Sequence, residues 1–188
     1  MKPRFEDIQV REYKHSDIDL IIEHRRRTPV EFWRSIGIDH LKMISEDQFK
    51  QKYESILKNH QNLDRYLLCI ITYKNNPIGM HSISHHIVEK EGVMHAHIWL
   101  PELRGQGIGV YSYPKAMEFF MKKLNLTKII FKTPKMNLAA NRIKEKLGIK
   151  SLGVTIFDHP NLIQPLESFL YEVEEKNIAN ILQRLNKA

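Results

Sequence analysis

The stretch that decides the fold is Pro101-Glu102-Leu103-Arg104-Gly105-Gln106-Gly107-Ile108-Gly109-Val110, in which three glycines alternate with other residues. A strand-like run precedes this stretch, and a helical pattern that extends to about Leu124 follows it. Alternate glycines let the backbone approach a ligand closely and adopt positive φ angles. A helix that begins here turns its unpaired N–H groups and the positive end of its dipole outward. The pattern therefore predicts a site for a phosphate-bearing ligand, with a plain strand-to-helix turn as the alternative.

Single positions exclude two common phosphate-binding loops. A dinucleotide-binding fingerprint needs a third glycine where Val110 stands. Gly148 and Gly153 have the spacing of a P-loop, but Val154-Thr155 follow them in place of Lys-Ser/Thr.

Composition bounds the class of protein. The chain has 188 residues, which predicts one domain, and its 29 Lys+Arg against 22 Asp+Glu leave a net charge of +7. This surplus predicts an anionic partner. Cys69 is the single cysteine, so no internal disulfide forms, and no apolar run is long enough to span a bilayer. We expect a cytoplasmic protein without a membrane partner.

The order of elements predicts one mixed α/β (α+β) domain. Strand patterns occupy residues 5–13, 65–73, 78–88, 93–100, 127–133 and, near the end, about 152–157 and 168–173. Helical patterns follow Ser16, the capping box of Ser45 and Gln48, the glycine stretch, and position 137. Residues 29–44 look irregular. We expect a domain over residues 1–176 and an amphipathic helix over residues 177–188, docked on that domain or on the partner of a homodimer.

Two motifs together resemble the GNAT superfamily of N-acetyltransferases. Residues 101–109 are similar to its coenzyme A loop, and residues 137–149, Asn-Leu-Ala-Ala-Asn-Arg-Ile-Lys-Glu-Lys-Leu-Gly-Ile, are similar to its second motif. The second motif is nearest to the branch that modifies ribosomal-protein N-termini. The resemblance implies the GNAT acyl-CoA N-acyltransferase fold, with a central, mostly antiparallel sheet flanked by helices. It also implies an acetyl-CoA-dependent enzyme without a metal that acetylates a primary amine by direct attack in a ternary complex.

The resemblance also implies which residues contact the coenzyme. They are the backbone of Ile98, Trp99 and Leu100 beside the pantetheine, the loop residues Arg104, Gly105, Gln106, Gly107, Ile108, Gly109 and Val110 at the pyrophosphate, and Asn137 and Lys144. Asn137 also suits a helix N-cap. Nine Lys and Arg in residues 120–150 suit a nucleotide phosphate or a solvated helix face.

The sequence departs from the family pattern at three positions. The family's frequent general-acid tyrosine falls on Lys144, and the serine used in the ribosomal branch falls on Ala140, which leaves the general acid unassigned. Pro114 lies in the first turns of the helix after the glycine stretch, so that helix is either kinked or starts afresh with Ser112 as its cap.

A histidine face on the strand before the loop is the candidate for the catalytic base. Strand alternation places His95, His97 and Trp99 on one face, and a hairpin centred on Lys90-Glu91 pairs them with His86, Ser84 and Ser82, respectively. A histidine can accept the proton that an attacking amine loses. His97 is the first candidate and His95 the second. A buried polar pair is the alternative, and zinc bound by His86, His95 and His97 is a weaker one.

The acceptor and the rival functions are less sharply defined. The family builds its acceptor pocket from the segment that here spans residues 25–44, which contains Phe32, Trp33, Arg34 and Ile36, with Glu31 and Asp39 as its acids. So few acids favour a peptide N-terminus or a small amine over a polyamine. The rival functions are a GNAT fold that binds coenzyme A without transfer and a basic nucleic-acid-binding module, although no nucleic-acid-binding motif stands out.

Overall fold

A seven-stranded sheet forms the centre of the protein in a computed structural model that describes residues 3–58, 66–87 and 90–187. The strands lie in the order β1-β2-β3-β4-β5-β7-β6, and every neighbouring pair is antiparallel except β4–β5, which is parallel. The strands are β1 Ile8–Glu12, β2 Tyr66–Tyr73, β3 Asn76–Ile87, β4 Glu91–Ile98, β5 Lys128–Pro134, β6 Ser151–Phe157 and β7 Leu166–Glu174. The predicted fold class is thereby confirmed. The predicted start of the second strand at Arg65 lies outside the described residues.

Helices cover both faces of the sheet. They are α1 Ile18–Arg27, α2 Val30–Ser35, α3 Glu46–Lys58, α4 Ile108–Leu124, α5 Leu138–Leu147 and α6 Glu175–Asn186. On one face, Leu67 and Cys69 of β2 belong to a buried cluster with residues of α4 and α6. On the other face, Leu68 and Ile70 join a second cluster with residues of α1 and α3. The alternation of β2 between two apolar clusters is what buries this strand on both sides.

Strands β4 and β5 separate part-way along their length. Their pairing runs only from Glu91–Lys128 to Val93–Ile130, although β4 continues to Ile98 and β5 to Pro134. Beyond that point β5 keeps its pairing with β7, and β4 keeps its pairing with β3. The unpaired edge of β4 therefore faces a gap that opens towards the glycine loop.

Most local signals in the sequence correspond to the observed elements. The capping box before α3 forms, with the Ser45 N–H donating to Gln48 Oε1 at 3.0 Å and the Gln48 N–H donating to Ser45 Oγ at 3.3 Å. However, α1 begins after Asp17 rather than Ser16, because the buried Asp17 carboxylate accepts hydrogen bonds from Arg11 and from the Lys14 N–H. The segment predicted to be irregular contains α2.

Pro114 lies inside one continuous helix, α4. Ser112 does not cap a new start, because its buried hydroxyl hydrogen-bonds His81 Nε2 at 3.0 Å across the helix–sheet interface. The proline removes one backbone donor, which leaves the Val110 carbonyl without its intrahelical partner.

The predicted pairing of the β3–β4 hairpin is wrong by four residues along β3. His95 lies opposite Ser82 rather than His86, and His97 lies opposite Met80 rather than Ser84. Trp99 lies near Ile78 rather than Ser82, since its N–H donates to the Ile78 carbonyl at 2.8 Å. A register irregularity between Ser84 and Ile87 compensates for the odd length of the connection, so His95 and His97 keep the predicted common face. The side chains of His85 and His86 lie outside the described part of the chain.

Candidate active site

The glycine loop has the backbone geometry that a bound anion needs. Gly105 and Gly107 adopt φ angles of 75° and 93°, which disfavour any residue with a Cβ. Gly107 is the N-cap residue of α4 and supplies no side-chain hydrogen bond to the first turn. The first N–H groups of α4 therefore remain available to a ligand, with the helix dipole behind them. A side chain at Gly109 would strike Ile143 of α5, so this glycine serves helix packing.

Arg104 closes the loop back onto its own strand. Its Nε and Nη2 atoms donate to the Ile98 carbonyl at 3.1 and 3.0 Å, and its guanidinium lies 3.9 Å from the centre of the Phe32 ring. The Ile98 carbonyl lies at the β4 edge that has no strand partner. The Trp99 N–H, in contrast, donates to the Ile78 carbonyl within the β3–β4 ladder. Leu100 is exposed where β4 ends.

His97 and His95 lie on the sheet face that α1 and α3 cover. The His97 ring is 6.0 Å from the Trp33 ring, and burial, helped by the charge of Arg104, lowers its pKa to about 4. His97 is therefore neutral at pH 7 and has an unprotonated nitrogen. His95 is half-buried, and its Nε2 atom lies 3.3 Å from Ser84 Oγ. The two rings share a face but differ in surroundings.

An aromatic cluster surrounds His97, and sequence reasoning missed part of it. We define this cluster as His24, Phe32, Trp33, His97 and Trp99. His24 lies 5.8 Å from Trp33 and 6.3 Å from Trp99 between ring centres, and the His24 and Trp99 rings are stacked. Trp33 and Trp99 are buried, as is His24. One signal could have identified His24, because it continues the apolar stripe of α1 three residues after Ile21.

Lys144 lies in the core rather than on the surface beside the loop. Its side chain is 2% exposed, and its ammonium sits 4.7 and 4.8 Å from the Tyr113 and Phe131 ring centres. The Tyr113 hydroxyl is 3.4 Å from Nζ. Burial lowers the pKa of Lys144 to about 7. Because Phe131 follows the last residue that pairs β5 with β4, this amine lies near the strand gap and away from a surface phosphate site.

The basic surplus of residues 120–150 is largely compensated within the fold. Lys122, Lys123 and Lys135 each pair with one glutamate, and Lys128 pairs with two. These ion pairs involve four of the nine basic residues, and a fifth, Lys144, is buried. More than half of the basic residues in this segment are therefore committed within the fold and do not form a phosphate-binding patch.

The second motif forms a capped helix over a buried polar network. The Asn137 side chain accepts from the Ala140 N–H at 3.2 Å, which makes it the N-cap of α5. Asn141, which sequence reasoning did not single out, is buried, donates to the Pro134 and Asn137 carbonyls, and accepts from the Tyr171 hydroxyl at 2.9 Å. This network fixes α5 against the end of β5 and the middle of β7.

Two further findings concern alternatives raised by the sequence. Among the described residues, no group of three or more His, Cys, Asp or Glu side chains is arranged to hold a metal ion. Within the same part of the chain, no helix has the length and apolar character needed to cross a membrane.

The sequence matches the acetyltransferase (GNAT) domain family over residues 7–150. The chain belongs to this family. The predicted superfamily, enzyme class and acetyl-CoA cosubstrate are thereby confirmed, and the protein is an N-acetyltransferase. No curated protein matches the sequence closely enough to count as a relative.

Solved GNAT structures share the fold at low sequence identity. Spermidine N-acetyltransferase from Vibrio cholerae, solved with CoA and spermine, aligns with a TM-score of 0.74 and 15% identity over 93% of this chain and 99% of its own. RimL, a ribosomal L7/L12 α-N-protein acetyltransferase solved with CoA, aligns with a TM-score of 0.73 and 15% identity over 89% of this chain and 94% of its own. The microcin C7 self-immunity acetyltransferase MccE, solved with acetyl-CoA and AMP, aligns with a TM-score of 0.73 and 13% identity over 90% of this chain and 93% of its own.

Proposed function

We propose that this GNAT protein transfers the acetyl group of acetyl-CoA to a primary amine, a peptide N-terminus or a small amine, by direct attack in a ternary complex. One observation carries the proposal: a half-buried, neutral histidine, His97, lies on the strand that parts from β5 just before the glycine loop. This observation supports the proposal because a candidate proton acceptor and a helix start that suits an anion belong to one strand–loop–helix unit. The solved structures named above include a spermidine acetyltransferase and a protein N-terminal acetyltransferase, so both acceptor classes stay in the test.

The chain's own residues take three tasks in this reaction. The N–H groups at the start of α4 bind the pyrophosphate, and the unpaired backbone edge of β4 around Ile98 lies beside the pantetheine. Acetyl-CoA supplies a thioester, so the amine nitrogen forms the new C–N bond while the C–S bond breaks and the thiolate leaves. His97 accepts the proton that the nitrogen loses, directly or through one water. Asn137 and Lys144 stay predicted coenzyme contacts, Lys144 at the thiol end.

The low pKa of His97 changes the expected pH dependence. A base with a pKa of about 4 is already deprotonated throughout pH 5–9, so its titration does not limit the rate in that range. Loss of activity between pH 5 and 7 then reflects protonation of the acceptor amine. An acceptor with a less basic amine should therefore shift the acidic limb of the pH–rate profile to lower pH.

Transfer and binding can be tested separately on the purified chain. We expect acetyl-CoA, but not DNA, to raise the melting temperature, and free thiol to appear in the presence of an amine. His97→Ala should lower kcat by about 100-fold or more because the proton acceptor is lost. The same variant should keep the stabilisation by acetyl-CoA. His15→Ala, at an exposed histidine of the same chain, is the matched control.

Each result has a defined meaning. An unchanged kcat in His97→Ala together with a large loss in His95→Ala would move the role of base to His95. Stabilisation by acetyl-CoA without turnover of any amine would indicate a coenzyme-binding protein that does not transfer. Stabilisation by DNA alone would contradict the enzyme proposal. The cytoplasmic location and the homodimer stay predictions beside this function.

A further inference from the structure

Two polar atoms of the aromatic cluster have no hydrogen-bond partner among the described residues. They are Nε1 of Trp99 and Nε2 of His24, on side chains that are 7% and 9% exposed. Burial lowers the pKa of His24, an effect that the nearby Trp99 backbone opposes, and no described atom reaches hydrogen-bond geometry with Nε2. A buried polar group without a partner costs about 1–3 kcal/mol. Such a pair marks a place where another molecule completes the bonds.

The two atoms differ in what they offer. The indole Nε1–H of Trp99 is only a donor. The Thr28 hydroxyl donates to the His24 carbonyl at 2.6 Å, so its oxygen accepts from His24 Nδ1–H at 3.1 Å. This assignment places the imidazole proton on Nδ1 and leaves Nε2 with a free lone pair. The site therefore presents one donor and one acceptor.

The charge around these atoms disfavours an added cation. Burial, helped by the charge of Arg104, lowers the pKa of both His24 and His97 to about 4, so each histidine is neutral at pH 7. Arg104 itself is held in place by the Ile98 carbonyl and the Phe32 ring. A protonated polyamine chain carries only N–H donors, so it cannot satisfy the Trp99 N–H, and its charge is repelled by Arg104. A carbonyl oxygen beside an N–H group satisfies both atoms.

We propose that Trp99 and His24 determine acceptor specificity by binding the amide group next to the reacting amine. The Trp99 indole N–H donates to the carbonyl oxygen of this amide, and His24 Nε2 accepts from its N–H group. Acceptors are then amines with a carbonyl group on the adjacent carbon, as in amino-acid amides and peptide N-termini, and polyamines are excluded. This inference rests on the proposed acetyl transfer for its kinetic test. The Trp33 ring lies between the rings of His24 and His97, at centre-to-centre distances of 5.8 and 6.0 Å.

Matched acceptors test the proposal. Alaninamide has the required carbonyl, whereas 3-methyl-2-butylamine replaces the amide with an isopropyl group of similar shape, and spermidine represents polyamines. Each kcat/KM is calculated from the concentration of the unprotonated form of the amine, so that differences in basicity do not affect the comparison. We expect kcat/KM for alaninamide to exceed the other two values by about 10-fold or more, the worth of the two proposed hydrogen bonds. Trp99→Phe, which removes the donor to the carbonyl oxygen but keeps an aromatic ring, should reduce this preference by lowering the alaninamide value alone.

A second indole provides the control. The Trp33 indole N–H is not among the buried atoms that lack a partner, so Trp33→Phe should lower kcat/KM for alaninamide and for the alkylamine by the same factor. Two results would overturn the proposal: spermidine as good a substrate as alaninamide, or a preference for alaninamide over the alkylamine that is as large in Trp99→Phe as in wild type.

Binding separates this inference from the proposed function. The chain has two tryptophans, and both lie in the aromatic cluster, so intrinsic fluorescence reports acceptor binding without turnover. If no amine is acetylated but alaninamide quenches the wild-type fluorescence at about 10-fold lower concentration than the alkylamine, the transfer proposal fails and the specificity inference stands. If alaninamide binds no better than the alkylamine, the inference is wrong whatever the transfer assay shows.

Discussion

At the scale of single residues, Lys144 is the least expected feature of the core. A lysine that is 2% exposed has lost its hydration, and the two rings and one hydroxyl around it replace that hydration only in part. Among the described residues no ion pair includes this side chain, in contrast to Lys128, which contacts two glutamates. Its lowered pKa follows directly from burial.

Lys144→Met should stabilise the protein, and more so at low pH. Lysine has a pKa near 10.4 in an unfolded chain and about 7 here, so between pH 7 and 10 the unfolded state binds more protons. The cost of burying the charge is fully present below pH 7 and disappears as the pH rises towards 10. At about 1.4 kcal/mol per pKa unit, removing the amine gains a few kcal/mol in the free energy of unfolding at pH 6.

Urea denaturation at pH 6, 8 and 10 measures this effect. The difference between Lys144→Met and wild type should shrink as the pH rises, whereas Lys146→Met, at an exposed position of the same helix, should show no such trend. A difference that stays constant over this pH range would show that Lys144 acts through packing and not through its charge.

At the scale of elements, the glycine loop and α4 act as one unit. Gly107→Ala should weaken acetyl-CoA binding by about 10-fold, because a Cβ at φ 93° costs 1–3 kcal/mol and turns the first N–H groups of α4 away. Gly153→Ala is the matched control, since this glycine also has a positive φ of 139° but lies in open space on β6. Both variants should lower the melting temperature.

Only Gly107→Ala should reduce the further stabilisation that acetyl-CoA provides. Equal ligand-induced shifts in the two variants would mean that the loop backbone does not bind the coenzyme.

The same elements show how far the sequence carries a prediction. The α3 capping box, the positive φ angles of Gly105 and Gly107, and the bounds of α5 depend on neighbouring residues, and each was predictable. The hairpin register was not, because an irregularity near Ser84 depends on pairing across the sheet.

Distance along the chain also limited the prediction of the site. The motifs identify the loop and the histidine strand, because both lie within about fifteen residues of each other. The aromatic cluster brings His24 and Trp33 to Trp99 from more than sixty residues away. The Asn141–Tyr171 bond likewise joins the second motif to β7 through the tertiary fold alone.

At the scale of the whole molecule, α6 joins the end of the chain to its core. Ile178 and Ile181 are buried in the cluster that contains α4, and the Arg184 Nη2 atom donates to the Leu147 carbonyl at the end of α5 at 2.7 Å. This packing favours docking on the same domain over docking on a partner. Ile178→Ala should then lower the free energy of unfolding by about 2–5 kcal/mol at any protein concentration.

Concentration dependence distinguishes the two arrangements. For a helix packed within its own chain, urea denaturation at 2 and 200 µM should give the same midpoint for Ile178→Ala. Gln183→Ala, at an exposed position on the same helix, should resemble wild type. A helix that docks on a second copy makes stability depend on protomer concentration, so a midpoint that rises with concentration in wild type and not in Ile178→Ala would place α6 at a dimer interface.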